Sequence, residues 1–125
     1  MATKRGLIFG AFRESIDTAS LRDGSMPPEV IAQHADLPGT SIVSTACLSG
    51  SQAFASAFLE NGSHCVIGPD GYPDGADAGL FIHLLFHRLL RCGEPLSQAL
   101  ETIRSYDERL ALFIGRTAPR KPPGG

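Results

Sequence analysis

The sequence has no marked excess of charge and no long apolar run. Its formal charge is −2 and its isoelectric point is near 6.0, whereas dedicated nucleic-acid binders normally cluster lysine and arginine on a basic face. The most apolar stretch, residues 80–90, is interrupted by His83, His87 and Arg88, and it falls short of the ~20 residues that cross a bilayer. We therefore expect neither a nucleic acid nor a membrane as a partner.

Cysteines are few and odd in number. Cys47, Cys65 and Cys92 cannot all pair within one chain, and their spacings fit no zinc-ribbon pattern. The basic N-terminal residues are followed by an apolar stretch, residues 7–12, that is too short for a secretory signal. We therefore expect a reducing, cytoplasmic compartment.

The common motifs of thiol and metal chemistry are also missing. A phosphatase loop requires arginine six residues after the cysteine, where Ala53 follows Cys47, and the glycines of a nucleophile elbow are replaced by Thr45 and Ser49. His83 and His87 are spaced to share a metal ion, but the zinc-protease glutamate and a third ligand are missing. We expect no metal and no cofactor.

What remains is a chain of 125 residues and 13.3 kDa, enough for one hydrophobic core. We expect a single α/β domain over residues 1–115. Residues 116–125 contain three prolines and end in two glycines, a composition that predicts a disordered tail.

Short apolar or β-branched runs alternate with helical patterns along this domain. Four buried strands are predicted, of which the last could instead extend a helix: residues 6–12, 41–46, 64–68 and 110–115. Helices are predicted between them: residues 27–37, 52–60, 76–92 and 95–110. Because parallel neighbours need crossover helices, this alternation predicts a three-layer sandwich, with helices on both faces of a mostly parallel sheet of about four strands.

Cys47 has the most favourable setting for chemistry. It follows a predicted strand and precedes a predicted helix, where unpaired N–H groups and the helix dipole favour a thiolate, and sites in parallel sheets form at this edge. Small neighbours such as Gly50 admit a substrate backbone, and the Cys47 N–H is suited to hold an oxyanion. The alternative, which also covers Cys65 and Cys92, is a cysteine that packs as a small hydrophobe.

A base for Cys47 is not evident in the sequence. A cysteine nucleophile usually needs a histidine, but His34 and His64 both precede strands and are expected at the edge opposite Cys47. Strand length alone separates His34 from Cys47 by ~20 Å unless the loop folds back. Asp74 and Asp77 are suited to cap the following helix.

Taken in order, these pieces resemble the carboxyl-terminal part of a CHAT domain, which belongs to the caspase-like cysteine peptidases. The likeness covers the chain from about Gly6 to Gly115. The stretches that carry it are Ser41-Ile-Val-Ser-Thr-Ala-Cys-Leu-Ser-Gly50, then residues 53–68, 74–90, 93–100 and 110–115.

The resemblance implies a caspase-like cysteine endopeptidase in which Cys47 is the nucleophile and backbone N–H groups hold the oxyanion. Phe12 and Gly50 occupy the turns beside that site, and Asp70 is the candidate for a substrate pocket. The family's histidine, usually followed by glycine, corresponds to Ala11. Because alanine cannot transfer a proton, we expect poor cleavage or none. A natural pseudoenzyme, a histidine replaced by design and a shifted alignment are the open explanations.

Three functions therefore stay open. The first is a caspase-like peptidase module, active or inactive, that acts on a polypeptide. The second is a non-catalytic module that assembles with regulatory proteins. The third is a different α/β cysteine hydrolase in which His34 reaches Cys47. The resemblance further implies strands before residue 6, so we expect truncation on the N-terminal side and an exposed sheet edge at residues 6–12, covered by a second copy or another chain.

Overall fold

The computed structural model describes residues 6–8, 14–15, 19 and 25–118. The described part of the chain is a small α/β fold with four helices and a three-stranded mixed sheet. Its elements in chain order are β1 (Leu7–Ile8), β2 (Ser25–Met26), α1 (Pro28–His34), β3 (Ser41–Val43), α2 (Gln52–Glu60), β4 (Cys65–Pro69), α3 (Gly75–Leu90), α4 (Leu96–Arg104), a 3-10 turn (Leu110–Leu112) and β5 (Phe113–Thr117).

The main sheet has the order β3-β4-β5. Strand β3 runs parallel to β4, with Ser41 opposite Cys65, and β5 runs antiparallel to β4, with Phe113 opposite Pro69. The sheet is therefore mixed, which corrects the prediction of a mostly parallel sheet. The physical reason is that two helices separate β4 from β5. Helix α3 leads the chain away from the edge of the sheet where β4 ends, and α4 leads it back to that edge. Strand β5 therefore starts where β4 ends and runs antiparallel to it.

The first predicted strand also differs from expectation. Leu7 and Ile8 pair antiparallel with Met26 and Ser25 in a separate two-stranded sheet. Residues 9–12, which complete that prediction, lie outside the described residues. In the described chain the main sheet therefore has three strands where about four were expected.

The predicted helices are confirmed in position, but two of them are shorter than expected. Helix α1 ends at His34 instead of residue 37. Helix α4 ends at Arg104 instead of near residue 110, and the run that follows it forms β5, which resolves the helix-or-strand alternative in favour of a strand. This strand extends through Thr117, two residues past the expected end of the domain at residue 115. The sequence pattern locates these elements because their apolar spacing and bounding Gly and Pro residues are local signals.

The larger apolar core lies between the sheet and the pair α3 and α4. Phe81 and Phe113 are fully buried and stack with ring centroids 3.9 Å apart. They join a cluster that contains Ile67, Leu85, Ala99, Leu100, Ile103 and Leu110. A second, smaller cluster, formed by Ile31, Phe54 and Ala57, joins α1 to α2.

Two polar side chains fix connections around these cores. The Asn61 amide, just past α2, donates to the carbonyl oxygens of Ala57 at 3.0 Å and Ile31 at 2.8 Å, which ties the end of α1 to the end of α2. Between α4 and β5, Arg109 lies 3.7 Å from Asp77 of α3. Its side-chain and backbone N–H groups donate to Asp107 and hold the pKa of that carboxyl below its ordinary value.

Among the described residues, no helix combines the length and the apolarity that a bilayer span requires.

The stacked phenylalanines generate a stability prediction. We expect Phe113→Ala to lower the free energy of unfolding by about 3–5 kcal/mol, because it leaves a cavity against Phe81. Phe86→Ala is the matched control, since the Phe86 side chain is 43% exposed on the same helix as Phe81. Chemical denaturation measures both changes, and equal losses would contradict the assignment of the core.

Candidate functional site

Cys47 lies in the turn between β3 and α2, and this turn is fixed to the end of β4. The Leu48 N–H donates to the Gly71 carbonyl oxygen at 2.9 Å, and the Gly50 N–H donates to the Pro69 carbonyl oxygen at 3.0 Å. Within the turn, the Ser49 hydroxyl donates to the Ala46 carbonyl oxygen at 2.6 Å. We call residues 46–50 the Cys47 turn. Its position is set by β4 and the loop after it, not by β3 alone.

The backbone of the turn is strained at one residue and crowded at another. Leu48 has a φ of 62°, in the left-handed region that costs a non-glycine residue roughly 1–2 kcal/mol. Gly50 is buried, and a Cβ at this position would overlap the Gly68 carbonyl oxygen of β4. The strain is maintained because the backbone bonds to β4 determine the turn.

Arg116 of β5 also contacts the Cys47 turn. Its Nε donates to the Gly50 carbonyl oxygen at 2.9 Å, and its guanidinium lies 3.6 Å from the Asp70 carboxylate. Both polar backbone groups of Gly50 are therefore engaged within the fold. The Cys47 turn contacts β4 and β5, and it follows β3 along the chain.

A groove runs beside the Cys47 turn, with a volume of about 680 Å³. Thr45 and the Cys47 turn form one wall of the groove, and helix α3 forms the other. Pro73 lies at one end of the groove. The lining residues are Thr45, Ala46, Cys47, Pro73, Gly75, Ala78, Gly79 and Ile82. These side chains are small or apolar, and none of them is charged. The groove is therefore suited to an uncharged segment of chain.

The backbone N–H of Cys47 differs from those that follow it in the turn. The N–H groups of Leu48, Ser49 and Gly50 all donate to carbonyl oxygens. Among the described residues, the Cys47 N–H donates no hydrogen bond. An unpaired N–H beside a thiol is the group that stabilises the oxyanion formed when the sulfur attacks a carbonyl.

The predicted site residues are only partly brought together. Cys47 is half-buried and lines the groove. Gly50 forms the turn, but its N–H is directed to β4, and Asp70 pairs with Arg116 and does not line the groove. Ala11 and Phe12 lie outside the described residues.

No histidine lines the groove in the part of the chain that the structure describes. His34 ends α1, which is tied by Asn61 to the far end of α2, whereas Cys47 precedes the near end of α2. The third function, in which His34 reaches Cys47, therefore has no support in this geometry. His64 precedes β4 and lies at the opposite edge of the sheet.

The remaining candidates have structural or surface positions. Asp74 takes the N-cap position of α3 without a capping hydrogen bond from its side chain, and Asp77 faces Arg109. Cys65 is half-buried in β4, and the exposed Cys92 lies 3.9 Å from the His87 ring nitrogen. Within the described ranges, no three potential metal-ligating side chains come together.

Two features of the site were not predicted from the sequence. Arg116 was assigned to the tail, although it follows an apolar run and so could have been recognised as the polar end of a strand. The small residues Gly75 and Gly79, which leave room for the groove, have the i, i+4 spacing of one helix face. That spacing was the available signal.

Chemically, the arrangement supplies a positioned thiol, an unpaired N–H and an apolar groove. It can present sulfur to a carbonyl bound in the groove and can hold the negative charge that develops on the carbonyl oxygen. Comparison of the chain with protein-family models, curated proteins and solved structures finds no match.

Because the Cys47 turn lies in close contact with β4, we expect substitution of Gly50 by a larger residue to destabilise the fold. We expect Gly50→Ala to lower the free energy of unfolding by about 2–4 kcal/mol, because the added methyl group overlaps the Gly68 carbonyl. Gly79→Ala is the matched control: no heavy atom stands within 4 Å of its added Cβ, and the helix gains about 0.5–1 kcal/mol from alanine. Thermal unfolding that ranks the two variants in the reverse order would contradict this packing.

Arg116 provides a second test of the same turn. We expect Arg116→Met to cost about 1–3 kcal/mol, since the Gly50 carbonyl loses a charge-assisted hydrogen bond. Asp70→Asn should cost less than about 1 kcal/mol, because that ion pair is exposed. Urea denaturation measures both values; a larger loss for Asp70→Asn would show that the ion pair, and not the bond to the turn, matters most.

Proposed function

We propose that the chain is the Cys47-bearing part of a caspase-like cysteine endopeptidase module, in which the groove receives a polypeptide and Cys47 is the nucleophile. The observation that carries the proposal is the position of the thiol: it stands on a fixed turn, next to its own unpaired N–H, at the wall of an apolar groove. The resemblance of residues 41–50 to the family's strand and nucleophile turn supports the same assignment.

The proposed step is an acyl transfer. The Cys47 sulfur bonds to the carbonyl carbon of the scissile peptide, and the Cys47 N–H donates to the oxyanion. The carbon–nitrogen bond then breaks, the amine leaves with a proton, and water releases the acyl group from sulfur. Both the deprotonation of the thiol and the protonation of the amine need a proton carrier, and alanine stands at position 11 where the family has histidine. We therefore propose that hydrolysis is impaired in this chain.

The packing is compatible with the proposed caspase-like sandwich. Val66 and Ile67 are consecutive in β4 and both are buried, although neighbouring side chains in a strand point to opposite faces. Ile67 belongs to the core with α3 and α4, while α2 packs against β4 as well. Buried residues on both faces of β4 support a sheet covered by helices on each side.

A cytoplasmic setting forms part of the proposal. Cys47, Cys65 and Cys92 are all free thiols in the fold, and free thiols persist in reducing compartments.

A second candidate function is a non-catalytic module that binds a polypeptide or regulatory protein in the same groove. The specific observation in its favour is the lining of the groove: no histidine is among the described residues there. Under this alternative the wild-type chain retains peptides in the groove without cleaving them.

Restoring the expected base tests the peptidase proposal. We expect Ala11→His to raise Cys47-dependent labelling by a peptidyl acyloxymethyl ketone, and peptide cleavage, by roughly 10²-fold or more, since a positioned general base contributes 10²–10⁴-fold. Mass spectrometry of the labelled chain identifies the modified residue. The measurement is made on the full 125-residue chain.

Two matched variants control this experiment. Ala11→His combined with Cys47→Ala should lose all of the gain, whereas Ala11→His combined with Cys65→Ala should keep it, because Cys65 lies within β4. No gain over the Cys47→Ala control would refute the peptidase. In that case, retention of an uncleaved peptide by the wild-type chain, lost when Gly79→Leu fills the groove, would support the binding module.

A further inference from the structure

Four charged side chains close to the Cys47 turn or to the start of α3 pair with one another. Asp70 lies 3.6 Å from Arg116, and that guanidinium also donates to a carbonyl oxygen of the Cys47 turn. Asp77, in the first turn of α3, lies 3.7 Å from Arg109. Each of these two carboxylates therefore faces an arginine of its own chain, and none of the four side chains is left over to pair with a charged ligand.

Asp74 carries a further charge at this end of α3. It is exposed at the N-cap position, and its carboxylate acts on Arg109 as well: the pKa of that guanidinium is raised by Asp107, then by Asp77 and Asp74. Asp74 does not line the groove. Its charge is offset by a cation of the same chain, so it does not select a basic ligand in the groove.

The groove itself offers a ligand no ionic partner. Its lining side chains are uncharged, and its volume of about 680 Å³ lies in the usual range of ligand clefts. A charged side chain that entered it would lose water without gaining an ion pair, which is unfavourable. An apolar side chain would instead remove its own surface from water, at a gain of about 25 cal/mol per Å².

Gly79 leaves space on the α3 wall of this groove. It lies inside α3 with a helical backbone, and within the described chain no heavy atom stands within 4 Å of the position that a Cβ would take. Neither backbone conformation nor close packing therefore requires glycine here, although glycine costs a helix about 0.5–1 kcal/mol relative to alanine. The effect of glycine at this position is to keep the groove open.

We propose that the groove beside Cys47 selects an uncharged, apolar side chain, and that Gly79 is the specificity-determining residue that admits it. This inference rests on the proposed function, in which a polypeptide lies in the groove with a carbonyl at Cys47. It names the substrate class: segments with a leucine-like residue at that carbonyl, whether the polypeptide is cleaved or only retained. Asp70, which the sequence indicated for a substrate pocket, has no part in this selection because it pairs with Arg116.

Labelling of the full chain by four peptidyl chloromethyl ketones measures the preference. The probes differ only in the residue at the ketone, which is leucine, alanine, lysine or aspartate. In each reaction the thiolate sulfur bonds to the methylene carbon and chloride leaves, while the thiol proton passes to the buffer. Cys92 is exposed and does not line the groove, so it reports the intrinsic reactivity of each probe. Peptide mapping by mass spectrometry gives both labelling rates in one sample.

We expect the ratio of Cys47 to Cys92 labelling to be at least about tenfold higher for the leucine probe than for the lysine and aspartate probes. Gly79→Leu should lower the ratio for the leucine probe about tenfold and change the ratio for the alanine probe less, because it fills the groove. Ala76→Leu is the matched control: Ala76 is exposed on the same helix and does not line the groove, so the preference for leucine should persist. Circular dichroism checks that both variants remain folded.

The outcomes separate this inference from the proposed function. A ratio that is highest for any probe other than leucine overturns the selection of an apolar side chain and leaves the binding of a polypeptide in place. Equal ratios for all four probes, matched by iodoacetamide, overturn polypeptide binding and the inference with it. A preference for leucine that survives Gly79→Leu, or that is lost equally with Ala76→Leu, overturns the role of Gly79.

Discussion

The close approach of the Cys47 turn to β4 is the contact on which the rest of the site depends. At Gly50 and Gly68 two backbones meet without side chains between them, and hydrogen bonds to Pro69 and Gly71 fix their separation. Because the turn is tied to β4, the left-handed conformation of Leu48 is maintained and the N–H of Cys47 is left without a partner in the described chain. The same bonds place Cys47 opposite α3, which follows β4, so one contact sets both the thiol and the groove.

Strand direction connects this local contact to the larger fold. Two helices between β4 and β5 return the chain to the edge where β4 ends, and β5 therefore runs antiparallel to β4. In that direction Arg116 falls opposite Val66 and reaches the Gly50 carbonyl oxygen. A parallel strand would start at the other edge and would bring Arg116 to a different height in the sheet. The mixed sheet thus supports the turn from a residue 66 positions further along the chain.

Local patterns in the sequence predict the elements well and their arrangement less well. Apolar spacing, Pro27 and Pro28 at the start of α1, and the β-branched Ile42 and Val43 locate helices and strands because each signal acts within a few residues. Cys47 was predicted as the site residue for the same reason: it stands between a strand and a helix. Strand direction and the support of the turn by Arg116 depend on contacts between distant segments. A single sequence carries no direct signal for such contacts, so they could not be derived from it.

Geometry also separates what the site can hold from what it can catalyse. The unpaired N–H of Cys47 and the groove lined by small residues are the two features on which the proposed binding of a polypeptide rests. Turnover additionally requires a proton carrier within hydrogen-bond reach of that sulfur, and none of the described histidines lines the groove.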